Sequence, residues 1–130
     1  MDIYPNDDFP TISRNGKTFV QVCESKDVLR RIGTRVEFDE ELQVAIFRVK
    51  DRLHAVSNIC PHNHSPLLHE GEINADDCTI TCPLHGWEYS LFTGKHTSSS
   101  HSHVQVYEVF EEDEYVFLEK PEPHEIEWKW

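Results

Sequence analysis

At 130 residues and 15.2 kDa the chain has room for one small domain and none for a second catalytic one. Twenty-four acidic residues against twelve basic give a formal charge of -12 and a pI near 5.0, with no Lys/Arg cluster, so nucleic acid and anionic membrane surfaces are poor partners. The longest apolar runs, such as Val44 to Phe47, fall far short of a membrane span of about 20 residues or a signal-peptide core of about 7 to 15, which predicts an unprocessed cytoplasmic protein.

Residues 1–17 contain Pro5, Pro10, Gly16 and several Asn/Asp without periodicity and read as an extended or loosely tied N-terminal segment. Short strands are predicted from there on: Thr18 to Cys23, Thr34 to Phe38, Leu42 to Val49 and Arg52 to Ser57. In the third of these, Val44, Ile46 and Arg48 alternate with Ala45, Phe47 and Val49, which predicts one apolar face and one mixed face. Asp51 marks a tight hairpin turn. Ser25 to Arg31 is predicted as one helical turn, with Ser25 as its cap and Gly33 as its stop.

The stretch from 58 to 94 breaks this rhythm with Pro61, Pro66, Pro83, Gly71, Gly86 and Gly94, and it holds three of the four cysteines. Strand signals resume at Cys78 to Cys82, Val104 to Val109 and Glu114 to Glu119, with Glu111 to Asp113 as a turn. The expected fold is an all-β antiparallel domain with an inserted loop-rich lobe, and the tail 120–130 lies against its surface outside the sheets.

Four cysteines in a chain without a secretory segment favour metal chemistry over disulfides. Of the nine histidines, His54, His69 and His124 read as surface or capping residues. His96, His101 and His103 fall in a Ser-rich run that reads as a solvated loop. Cys23 and Cys78 read as small buried hydrophobes. The informative residues are Cys60-Pro61-His62 and Cys82-Pro83-Leu84-His85, each offering one thiolate and one imidazole from a turn stiffened by proline. Such a donor set suits either tetrahedral zinc or an iron–sulfur cluster. Structural zinc knuckles bring two like ligands from one loop, whereas each loop here brings one of each kind, an arrangement that suits two unequal irons.

The surroundings are Cys60-Pro61-His62-Asn63-His64-Ser65-Pro66-Leu67, Glu70-Gly71-Glu72-Ile73, Cys82-Pro83-Leu84-His85-Gly86-Trp87-Glu88-Tyr89-Ser90-Leu91 and Thr93-Gly94. With them the sequence resembles the Rieske [2Fe–2S] family, in particular its soluble ferredoxins and the Rieske lobes of aromatic-ring oxygenases. The resemblance spans about 18–119, with the cluster lobe at about 58–94, and implies a Rieske-like antiparallel β sandwich. It implies that Cys60 and Cys82 hold a buried iron and His62 and His85 an outer one. Histidine ligation places the potential between about -150 and +300 mV. High-potential relatives have a serine donating to the cluster where this chain has Trp87, so the low end of that window is expected.

The implied function is a one-electron carrier, not itself an enzyme and a monomer when free, that passes electrons from a reductase to a terminal oxygenase. The alternatives are a small Rieske subunit of a nitrite reductase or similar multi-subunit oxidoreductase, and a zinc-stapled binding module. Length excludes a complete oxygenase, which needs a further domain for mononuclear iron.

Overall fold

The computed structural model describes residues 2–61, 65–84, 86–98 and 102–121. Among these residues twelve strands form three sheets. The first sheet contains β1 (Asp2–Ile3), β4 (Thr34–Asp39), β5 (Leu42–Val49), β6 (Arg52–Ser57) and β10 (Val106–Tyr107), in the order β1-β4-β5-β6-β10. The second contains β2 (Thr11–Arg14), β3 (Lys17–Glu24), β11 (Val109–Glu112) and β12 (Tyr115–Glu119), in the order β11-β12-β3-β2. The third, which builds the lobe, runs β7 (Glu72–Asn74), β8 (Thr79–Thr81), β9 (Glu88–Ser90). All pairings are antiparallel except that of β1 with β4. No helix among the described residues is long and apolar enough to cross a membrane.

Two cores share the first sheet. Val36, Val44, Ile46 and Ala55 pack with Val20, Val22, Val116 and Leu118 of the second sheet. Ala45, Phe47, Val49 and Val56 pack with Cys60, Leu68, Ile80, Cys82, Tyr89 and Leu91 of the lobe. Strand β5 is therefore buried on both faces, with only Arg48 half-exposed. The apolar face, Ala45, Phe47 and Val49, is the one the lobe covers, and the mixed face packs Val44 and Ile46 on the second sheet with Arg48 half-buried beyond them. Burial of these side chains supplies the main stabilisation, at about 25 cal/mol per Å² of apolar surface.

Local chemistry explains most of the turns. Lys50 and Asp51 both have positive φ, as a two-residue hairpin turn matched to strand twist requires. Asp113 and Glu114 repeat this geometry, so the last hairpin turns one or two residues later than expected, and Glu111 and Glu112 are paired strand residues. The expected strand Val104 to Val109 is split: Val106 and Tyr107 pair with β6 and Val109 begins β11, so the chain changes sheets at Glu108. The helical turn shrinks to a 3-10 turn at Ser25–Asp27, capped by Glu24, whose N–H donates to Asp27 Oδ2 at 3.2 Å. It stops early because Val28 enters the core and its carbonyl, with that of Ser25, accepts from Arg48 at 2.9 and 3.0 Å. The N-terminal segment is tied rather than loose, since β1 and β2 close the edges of two sheets and Ile3 is buried. The tail from residue 122 lies outside the described residues.

Candidate metal centre

Cys60 and Cys82 end up in one buried side-chain cluster, both fully buried, although they lie 22 positions apart in sequence. None of the four cysteines is in a disulfide. No three His, Cys, Asp or Glu side chains converge among the described residues; His62 and His85, like His64, lie outside them.

The first loop leaves β6 at Asn58. Its main chain closes through Cys60 N–H to the Ser65 carbonyl at 2.9 Å and Leu68 N–H to the Asn58 carbonyl at 3.1 Å. The fully buried Asn58 side chain fastens both ends. Its Oδ1 accepts from the His69 backbone N–H at 2.6 Å and from His69 Nδ1 at 3.1 Å. Its Nδ2 donates to the Pro66 carbonyl at 3.0 Å and to Gln43 Oε1 at 3.2 Å. Gln43 in turn is held by Arg35 Nε at 2.8 Å, which links the loop to the first sheet. Every polar atom of the Asn58 amide is thus satisfied, as burial demands.

The second loop joins β8 to β9 and is closed by main-chain bonds. Cys82 N–H donates to the Trp87 carbonyl at 2.8 Å and Gly86 N–H to the Cys82 carbonyl at 3.0 Å. Gly86 has φ +70, a left-handed conformation that glycine adopts without steric cost. Gly94 closes the lobe at φ +77, where any Cβ would run into the Val104 carbonyl.

Tyr89 connects Cys60 to the rest of the lobe. Its hydroxyl lies 3.7 Å from Cys60 Sγ and 3.5 Å from Ser102 Oγ. Burial, with the neighbouring cysteines, pushes its phenol above the ordinary range, so it keeps its proton. The His96 ring packs edge-on against Trp87 at 4.7 Å and Tyr89 at 5.4 Å. His96 and Ser102 are half-buried and lie against the centre, whereas Thr97, Ser98 and His103 are exposed as expected and residues 99–101 lie outside the described set. Composition gave no signal for this, because the contacts come from the β9 turn folding the run back.

The remaining singled-out residues pack elsewhere. His54 Nε2 lies 3.5 Å from Cys78 Sγ, and burial lowers the pKa of His54 and of His69. Both histidines are half-buried rather than on the surface. Cys78 is buried, and Cys23 is half-buried with its thiol pushed up to about 12 by burial and then Asp27. His124 lies outside the described residues.

The model of the Rieske-like [2Fe-2S] domain matches residues 18–119. The chain belongs to that family. The 3-phenylpropionate/cinnamic acid dioxygenase ferredoxin subunit of Escherichia coli (strain K12) is 29% identical over 104 residues, covering 79% of this chain and 94% of the relative. The ferredoxin of carbazole 1,9a-dioxygenase from Nocardioides aromaticivorans IC177 is 26% identical at TM-score 0.67, covering 77% of this chain and 95% of its own. A nitrite reductase [NAD(P)H] small subunit from Erwinia carotovora shares the fold at 24% identity and TM-score 0.65, covering 80% and 82% of the two chains.

A Rieske-type [2Fe-2S] cluster is the cofactor of this family, and the residues present fit it. Two fully buried cysteines outside any disulfide sit at the mouths of adjacent loops, with a phenolic donor beside one sulfur. Buried thiols with hydrogen-bond donors aimed at sulfur are what a cluster needs from its protein. Tyr89 also adds a donor that the argument from Trp87 leaves out, and a donor to sulfur pulls the potential upward.

Proposed function

We propose that this Rieske protein is a one-electron carrier in the cytoplasm, taking electrons from a reductase and passing them to a terminal oxygenase. The proposed cluster domain is 18–119, with its lobe at about 58–94. Cys60 and Cys82 are the proposed ligands of the inner iron, His62 and His85 those of the outer. Held by these four residues, the cluster would supply a one-electron couple, with the two histidines leaving less negative charge on the iron they bind. The chain's own residues bury the sulfurs, close the two loops and set the donors around them.

The observation that carries the site is the meeting of Cys60 and Cys82 in one buried cluster against Tyr89. The test is substitution in protein made with ample iron and sulfide. Cys60→Ser and Cys82→Ser each abolish the visible absorption and the electron spin resonance signal after dithionite, while Cys23→Ser leaves both intact. An unchanged spectrum in either of the first two would overturn the ligand assignment.

The charge of -12 suits a partner with a basic docking patch, which raises encounter rates. Electron-transfer rates with the reductase fall as salt is added; rates indifferent to salt would remove the electrostatic part. The fold shared with a nitrite reductase small subunit supports a second reading as a subunit of such a complex. Purification separates them, since a subunit copurifies in a stable assembly and a shuttle elutes alone.

A further inference from the structure

Among the described residues, the buried hydroxyl of Tyr89 has two polar neighbours, Cys60 Sγ at 3.7 Å and Ser102 Oγ at 3.5 Å. A sulfur bound to iron carries no hydrogen and can only accept, which assigns the phenolic hydrogen to the Cys60 side. The phenolic oxygen is then left with lone pairs, and the Ser102 hydroxyl stands where it can donate to one. An oxygen that accepts a hydrogen bond becomes a stronger donor through its own O–H, by roughly 10–30% per bond.

Ser102 is held in place. Its carbonyl accepts from His96 N–H at 3.0 Å, and the His96 ring is packed against Trp87 and Tyr89. The adjoining Thr97 is fixed to Glu88 twice, by its backbone N–H to the Glu88 carbonyl at 2.9 Å and by its hydroxyl to Glu88 Oε1 at 3.0 Å. Glu88 Oε2 accepts from Thr79 Oγ1 at 2.7 Å, which anchors this arrangement to β8.

We propose that Ser102 is a positioning residue for the cluster: its hydroxyl donates to the Tyr89 oxygen and holds the phenolic hydrogen on Cys60 Sγ. The Ser/His segment thereby tunes the ease of reduction without touching the cluster. The proposal rests on the reading of Cys60 as a ligand.

The sign of the effect distinguishes this role from its opposite. If Ser102 instead accepted from Tyr89, it would compete with the sulfur, and removing it would raise the midpoint. Reductive titration of the cluster-loaded protein decides. Ser102→Ala lowers the midpoint by less than half the fall caused by Tyr89→Phe, Ser102→Thr restores it, and Ser102→Ala causes no further fall in the Tyr89→Phe background. A raised or unmoved midpoint in Ser102→Ala would overturn the proposal, as would an equal fall in both backgrounds, which a merely loosened segment would give. A coloured wild type with an unmoved Ser102→Ala midpoint sinks this inference alone, whereas a colourless wild type sinks the ligand reading with it.

Discussion

The loop from Cys60 and the loop from Cys82 offer the same pair of residue types, yet they are fastened by different means. The first is clamped by a buried side chain, Asn58, that reaches Pro66, His69 and Gln43. The second is a hairpin connection whose geometry is set by its own main chain and by the positive φ of Gly86. The difference follows from where each begins. The second loop is carried by neighbouring strands of one small sheet, so its two ends are already paired. The first leaves the edge of one core and enters another, and its ends have to be joined by something else.

The largest expected effect is therefore on the first loop. Asn58→Ala removes the four side-chain hydrogen bonds of a fully buried amide, to Gln43, Pro66 and twice to His69, and costs about 3 kcal/mol, read as a fall in the denaturation midpoint together with faster bleaching of the cluster. A change below about 0.5 kcal/mol would show that the main-chain bonds suffice and that the two loops are alike after all. Gly86→Ala comes next. Nothing lies within 4 Å of the added Cβ, so only left-handed strain remains, about 1–2 kcal/mol, with the cluster retained. Loss of the cluster in that variant would mean that the second loop is the more fragile one.

The smallest effect belongs to a pair remote from both loops. Arg48 contacts Glu111 at 2.9 and 3.1 Å, and that hydrogen bonding holds the Glu111 carboxyl below its ordinary range. A depressed carboxyl stabilises the fold above the unfolded value of about 4.3 and loses that contribution as pH falls through the lower folded value. Glu111→Gln thus costs about 0.5 kcal/mol at neutral pH, and the difference shrinks in acid, as denaturation at pH 7 and pH 3 would show. Bleaching unaffected by this variant sharpens the contrast with Asn58→Ala.

Much of this was legible in the residues. Runs of β-branched and aromatic residues marked β3, β4, β5, β6 and β12, and Asp51 marked its hairpin, because these signals are local. Two Cys-His boxes with their prolines and Gly86 pointed to the centre. What escaped was long-range. Nothing in Val104 to Val109 tells that the strand changes sheets at Glu108, since that depends on which neighbours are vacant at each edge. An asparagine before a cysteine gives no periodic sign of a clamp, and serines among histidines read as solvent-facing until the chain is seen to return. His62 and His85, legible in sequence, lie outside the described residues, so their place as ligands is carried by the pattern and by the two cysteines beside them.

Strand β5 acts as a party wall with a furnished room on either side. If the iron departs and the lobe slackens, Phe47 and its neighbours are laid bare on a sheet that is still intact. The apoprotein would then be a folded object with a newly greasy flank, prone to clump before it unravels.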